Sequence, residues 1–200
     1  MPVRLPLAAL AACLVAAGAA PAQDMPRYLP TRDVTVTYQL TASQGGLPPT
    51  VTAHITPAGD VRIDTPDRGS VIYDLGSGEA DWLMPNSPLY IQLPVKGSLA
   101  GTFLPDSGAR FTRAGQATVA GMTCTEWHIA APRGSGSACV TSDGVILRAE
   151  GGDTRGARGE IMATNIAYEA QPAALFHPPA GAQRLSMPTR LPKLPRTATP

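Results

Sequence analysis

The chain is poor in three things: aromatic residues make up 5%, charged residues 16%, and cysteine contributes three of 200 positions. With so few rings, a core must be filled mainly by Val, Ile, Leu and Ala. The 16 basic and 15 acidic side chains nearly cancel, leaving a formal charge of +1. That balance leaves no general electrostatic footprint for nucleic acid, and none is expected as a partner. Histidine is as scarce. His54, His128 and His177 each lack a second His, Cys or acid at ligand spacing on their own segment, so no metal site is expected. The chain contains no Gly-x-Ser-x-Gly, His-Glu-x-x-His or Ser-x-x-Lys. Gly-Ser-Gly at 76 to 78 and at 134 to 136 lacks the continuation of a phosphate-binding loop and reads as turns. The expectation is therefore a non-enzyme without a cofactor.

Long apolar runs are missing too, except at the start. Met-Pro-Val-Arg leads into Leu5 to Ala20, and Ala20-Pro21-Ala22 supplies small residues for cleavage. This is the form of an export signal over residues 1–22, too short for a spanning helix, with the mature chain starting near Gln23. A second reading stays open. Leu10-Ala11-Ala12-Cys13 has the form of a lipobox, in which Cys13 would be acylated, although the apolar run continues through Leu14, Val15 and Ala16. Either way the expected address is the periplasm, an oxidising space in which cysteines pair.

What is abundant is Gly (20) and Pro (21), the punctuation of many short strands. Val34 to Leu40 alternates apolar and polar residues with period two, as do Val51 to Ile55 and Val61 to Asp64, joined by Pro57-Ala58-Gly59-Asp60. Further strands are expected at 70–75, 80–84 and 89–93, then 109–113, 118–130, 137–142, 145–150 and 159–168. The turns between them include Pro85-Asn86-Ser87-Pro88 and Asp143-Gly144. Leu99 and Phe103, four apart between Gly97 and Asp106, suggest one short helical turn. The fold class expected is mainly β, with at most one or two short helices. About ten strands with no room for crossover helices make a long antiparallel meander, forming a strongly curved sheet or half-barrel. One β-rich domain over 23–181 is followed, over 182–200, by a Pro-rich, disordered tail. The tail carries Arg184, Arg190, Lys193 and Arg196 and no acid. It reads as a solvated terminus, with peripheral contact to anionic lipid headgroups as the functional alternative.

After the leader only Cys124 and Cys139 remain, and an even pair in an oxidising compartment is expected to form a disulfide. The segment between them can turn back at Pro132 to Gly136 and bring them onto adjacent strands. A curved sheet with small residues on its inner face can hold an apolar ligand, and Tyr38, Trp82, Tyr90 and Trp127 are the candidate lining residues.

Three segments then carry a resemblance: Ala120-Gly121-Met122-Thr123-Cys124-Thr125-Glu126-Trp127, Ala138-Cys139-Val140-Thr141-Ser142-Asp143-Gly144-Val145-Ile146-Leu147-Arg148, and Ala174-Leu175-Phe176-His177-Pro178-Pro179-Ala180-Gly181. Together they resemble an uncharacterised group of exported bacterial proteins related in pattern to the LolA/LolB-like superfamily of outer-membrane lipoprotein carriers. The resemblance spans about residues 33–181. It implies a long antiparallel sheet curled into an incomplete barrel whose apolar inner face holds acyl chains, although a clear amphipathic helix after the leader and a helical lid are lacking here. Two functions are expected on this basis. One is a non-catalytic periplasmic module binding a lipid or other apolar ligand. The other is a ligand-free structural or interaction protein of the cell envelope, with an envelope protein as partner.

Overall fold

Alternating β-branched and polar residues produce strands wherever a turn signal separates them, and here they all join one sheet. The computed structural model describes residues 24–42, 46, 48–74, 77–94 and 108–185. The strands are β1 (Val34–Ala42), β2 (Thr50–Ile55), β3 (Asp60–Thr65), β4 (Gly69–Asp74), β5 (Glu79–Leu83) and β6 (Leu89–Pro94). They continue with β7 (Arg110–Val119), β8 (Met122–Ala131), β9 (Gly134–Val140), β10 (Ile146–Asp153), β11 (Arg158–Ala167) and β12 (Gln183–Leu185). A 3-10 turn, Ala173–Phe176, lies between the last two. The expected leader, the Leu99–Phe103 helical turn and the tail beyond residue 185 lie outside the described residues.

The sheet is curved and unclosed, in the order β12-β6-β5-β4-β3-β2-β1-β11-β10-β9-β8-β7. Two antiparallel meanders, β1 to β6 and β7 to β11, meet where β1 pairs with β11. This is the curved antiparallel meander expected from the sequence. Its turns are those the dipeptides indicated: Gly59 at φ 95°, Asn86 at φ 55° and Gly144 at φ 96° close the 57–60, 85–88 and 143–144 connections. Gly144 has a second constraint. A Cβ there would lie 2.3 Å from the Leu29 carbonyl oxygen, so only glycine lets the N-terminal segment pass.

Two boundaries differ from expectation. The single strand expected over 118–130 is split, because Ala120 (φ 49°) and Gly121 (φ 76°) make a tight turn between β7 and β8. β7 consequently runs through the stretch expected as turn, from Arg110 to Val119, with a bulge between Arg113 and Gly115. The tail expected from residue 182 also begins with structure, since Gln183–Leu185 pairs with Leu89–Ile91 as a parallel strand.

Burial divides into two main clusters. The larger gathers Val34, Val36, Tyr38, Val51, Ala53, Val145, Leu147 and Ala163 around Cys124 and Cys139. Within it the Tyr38 hydroxyl donates to the Ile146 carbonyl at 2.8 Å, reaching from β1 across β11, where its cross-strand neighbour is only Ala163. The smaller gathers Phe111, Trp127, Ala138 and Val140, with Tyr28 packed against them. Cys124 and Cys139 are bonded, with Cα atoms 5.3 Å apart. They meet diagonally, because Cys139 lies opposite Glu126, two residues from Cys124 on the same side of β8.

Candidate functional site

Strand register decides which side chains share a face, since directly paired residues point the same way. One cross-strand row runs Ile91, Trp82, Val71, Ile63, Ala53, Val36 and Ile166, from β6 through β1 to β11. A neighbouring row runs Leu93, Ala80, Tyr73, Val61, Ile55 and Val34. Both rows are apolar apart from the Tyr73 hydroxyl and the Trp82 indole N–H. Their cover is uneven: Val34 and Val36 are fully buried, whereas Ile63, Val71, Trp82 and Ile91 are only half-buried. An apolar band therefore continues outward from the main core across β3 to β6. Trp82 stands in it with its indole N–H satisfied by the Arg68 carbonyl at 2.9 Å. Burial pushes the Tyr73 hydroxyl up from its ordinary titration range, as expected of a phenol in apolar surroundings.

Of the four candidate lining residues, only Trp82 lies on this band. Tyr38 is in the main cluster and Trp127 in the smaller one, each packed against its own side chains. Tyr90 pairs with Leu83 and so points to the opposite face from Trp82.

That opposite face is mainly polar on β1 to β4, beside Ile72, Leu83 and Tyr90, and holds a network that no local spacing announced. His54 Nε2 lies 3.1 Å from Asp64 Oδ2, and His54 Nδ1 lies 3.2 Å from both Thr35 Oγ1 and Gln171 Oε1. Arg62 donates to Asp64 Oδ1 at 2.7 Å through Nε, and to Ser70 Oγ at 2.9 Å and the Leu175 carbonyl at 3.1 Å through its terminal nitrogens. Gln171 completes the strap, its backbone N–H donating to Asp33 Oδ2 at 2.8 Å and its amide to Thr35 Oγ1 at 2.9 Å. A shallow cleft of about 440 Å³ lined by Thr52, Asp64, Asp67, Ser70 and Asn86 opens beside it.

Chemically, a hydroxyl, an imidazole and a carboxylate in sequence have the composition of an acyl-transfer triad. The position for a substrate carbonyl is occupied, however. Thr35 Oγ1 also bonds Glu169 Oε1 at 3.0 Å and receives the Gln171 amide, so the chain itself covers the hydroxyl. The network fastens residues 169–176 to the sheet. The signal that marks it in the sequence is polar identity at alternate positions: Thr35 on β1, His54 on β2, Arg62 and Asp64 on β3, Ser70 on β4. Among the described residues no group of three or more His, Cys, Asp or Glu side chains is placed to hold a metal ion. No described helix is long and apolar enough to cross a membrane.

Asp64 gives this strap a pH dependence. Half-burial acts to raise its pKa, but the hydrogen bonds from Ser70 and Arg62 and the charges of Arg62 and His54 outweigh it and hold the carboxyl below its usual range. A carboxyl with a depressed folded-state pKa stabilises above its unfolded value, near 3.9, and loses that contribution as pH falls through the lower folded value. Asp64→Asn should therefore lower the melting temperature at pH 7 by a few degrees. Its deficit relative to the wild type should shrink below pH 4, read by thermal unfolding across pH 3 to 7.

The half-covered apolar band lies on an open, curved sheet of twelve strands. No protein-family model matches the chain, and no curated protein matches it. Solved structures do. MucB of Pseudomonas aeruginosa is similar at a TM-score of 0.50 and 15% identity, over 81% of this chain and 63% of MucB. The Mycobacterium tuberculosis lipoprotein LppX gives a TM-score of 0.42 and 11% identity over 70% of this chain and 89% of its own. A LolA superfamily protein from Nitrosomonas europaea gives 0.32 and 8% over 75% and 92%. The chain thus spans less than two thirds of the length of MucB, which has also been solved in complex with MucA. The likeness to MucB is one of fold alone.

Proposed function

We propose that this chain is an exported, non-catalytic envelope module that holds an apolar ligand of the acyl-chain class against the band formed by Ile63, Val71, Trp82 and Ile91. On this reading, residues 1–22 are a removable leader and 23–181 the working domain. The supporting observation is the continuity of the band with the core. Six adjacent strands present apolar side chains in register, and those of β3 to β6, apart from the buried Ala80, remain half-exposed. A contiguous apolar surface of this kind on an exported chain favours a ligand or partner over bare solvent. Trp82 is the lining residue of the original four that this placement supports. The MucB–MucA complex leaves a protein occupant as the second reading.

Native mass spectrometry of protein released gently from the envelope fraction tests the proposal. A retained lipid adds its mass to the polypeptide, and adding that lipid back to delipidated protein raises the melting temperature by mass action. Trp82→Ala should weaken binding of a fluorescent fatty acid about tenfold, the equivalent of ~1.4 kcal/mol of lost contact, while far-UV circular dichroism stays unchanged. Bare polypeptide mass together with no stabilisation by any phospholipid or fatty acid would refute the lipid reading in favour of a protein occupant.

A further inference from the structure

The hydrogen bonds around His54 need one proton more than a neutral ring can supply. Gln171 has a fixed orientation, because its Nε2 lies 3.2 Å from the Glu169 backbone carbonyl, which can only accept, and 2.9 Å from Thr35 Oγ1. Its Oε1 is therefore the atom that faces His54 Nδ1 at 3.2 Å, and it too can only accept. Thr35 has a single hydroxyl proton. That proton goes to Glu169 Oε1 at 3.0 Å while the oxygen receives the Gln171 amide, so none is left for the imidazole. Nδ1 must be the donor. On the other side of the ring, Nε2 lies 3.1 Å from Asp64 Oδ2, a carboxylate that Ser70 and Arg62 keep ionised, so Nε2 must donate as well. Only the imidazolium carries both protons. The charges that face it agree. Asp64 from β3, Glu169 from the strap, and Asp33 from the start of β1, which accepts the Gln171 N–H, set three carboxylates against one guanidinium. That guanidinium belongs to Arg62, which lies opposite His54 on β3 and is itself paired with Asp64.

We infer that His54 is a proton-operated latch on the polar face. With both ring nitrogens protonated it holds the Glu169 to Gln171 end of the strap on β1 and β2, and the loss of one proton releases that end. A neutral ring leaves a lone pair against either Gln171 Oε1 or Asp64 Oδ2. The imidazole is only 17% exposed, so water does not readily relieve that repulsion. The far end of the strap stays in place, because Phe176 is buried and Arg62 holds the Leu175 carbonyl at 3.1 Å. Opening therefore moves Glu169 to Gln171 away from Thr35 and uncovers the polar side of β1 and β2. The latch works in the opposite sense to Asp64: fastening through His54 needs the proton, so it is present at acid pH and lost as pH rises. It lies on the face opposite the apolar band, and the inference stands whether or not the band holds a lipid.

The test is NMR of the full, isotope-labelled chain at about pH 5 and about pH 8, which bracket the interval in which histidine side chains change charge. The His54 ring should carry protons on both nitrogens at the lower pH and on one at the higher. Over the same interval the protection of the Gln171 amide from hydrogen exchange should fall about tenfold, the effect of one hydrogen bond to a charged group. This is read after correction for the pH dependence of exchange in an unstructured peptide. The amides of Val36 and Ala53, paired in the sheet beneath, should keep their protection. His54→Asn retains an N–H near the place of Nδ1 but has no proton to lose, so its Gln171 amide should be equally protected at both pH values. Glu169→Gln removes one of the three carboxylates and should move release to lower pH by about half a unit. A singly protonated ring at the lower pH would overturn the inference, as would Gln171 protection that ignores pH in the wild type or still follows it in His54→Asn. If His54→Asn does not fold, Glu169→Gln decides, and release at an unchanged pH counts against the latch.

Discussion

Replacing Trp127 with alanine is expected to cost about 3–5 kcal/mol of stability, the range for removing a large aromatic from a packed interior. The indole is 3% exposed on β8 and packs with Phe111, Ala138 and Val140. It also carries the N-terminal segment. The Arg113 guanidinium sits 4.8 Å above the ring and is paired with Asp24 at 2.8 Å, while Tyr28 meets Phe111 edge-on at 5.8 Å. Alanine therefore leaves a cavity and also removes the ring on which Arg113 rests. The exposed Arg113–Asp24 pair adds little by itself, since surface ion pairs contribute ~0–1 kcal/mol. The urea midpoint should fall with its slope unchanged, and the melting temperature should drop by roughly 10 °C. Exchange of the Thr31 amide, which donates to the Asp143 carbonyl at 2.9 Å, should accelerate more than that of β3 or β4 amides. A midpoint within experimental error of the wild type would show that this cluster is not a core. Trp82→Ala makes the matching contrast, because its ring is half-exposed and its loss should register in ligand binding before stability.

The two tryptophans also show what the sequence made legible and where it stopped. Period-two alternation places Trp82 and Trp127 on strands, and turn dipeptides such as Asp143-Gly144 fix most of the connections. Which face a ring joins depends on register, and a slip of one residue reverses every side chain. Tyr90 and Trp82 both sit at apolar positions of adjacent strands, yet the connection from Pro85 to Pro88 pairs Tyr90 with Leu83 and sends the two rings to opposite faces. The Ala120-Gly121 turn has no strong sequence signal, because alanine, here at φ 49°, is not among the residues that favour a left-handed turn. The polar strap was beyond local reading for a topological reason. Gln171 and Thr35 are 136 residues apart in the chain, and His54 meets Asp64 only because β2 and β3 pair side by side.

Topology likewise explains why one face is closed and the other half open. The β1–β11 pairing joins two meanders whose outer strands are far apart in the sheet, so the core is deepest at the seam, around Val34, Val36 and Leu147. Moving outward along β2 to β6, each strand brings two more apolar residues into the band, and those on β3 to β6 other than Ala80 are half-exposed. The polar face follows the opposite course, being covered at β1 to β4 by residues 169–176 through Arg62, His54 and Gln171. A single sheet thus acquires one face that is fastened by its own chain and one that offers an apolar surface.

Removing the disulfide should have a comparable effect to losing Trp127, by a different physical route. Cys124 and Cys139 are 15 residues apart, and closing a loop of that length lowers the entropy of the unfolded chain by the equivalent of ~3 kcal/mol in the chain-entropy model. Both sulfurs lie in the main cluster, 2% and 1% exposed, under the Arg148–Glu126 ion pair at 2.7 Å whose residues flank Cys139 on β10 and β8. A double change to alanine isolates the cross-link, because alanine adds no buried hydroxyl to the apolar site, whereas serine would introduce an unsatisfied one at further cost. The double alanine variant should unfold at lower urea with a larger slope, since its unfolded state is freer and exposes more surface. The native wild type should resist dithiothreitol, because the reagent reaches the bond only through opening of the β8–β9 hairpin. Reduction should therefore accelerate as urea approaches the midpoint. Rapid reduction in the absence of denaturant, or a double alanine variant as stable as its parent, would mean that β8 and β9 are held by their ladder and side chains alone. The apolar cluster around Val145 and Leu147 would then be the true fastening of that wing.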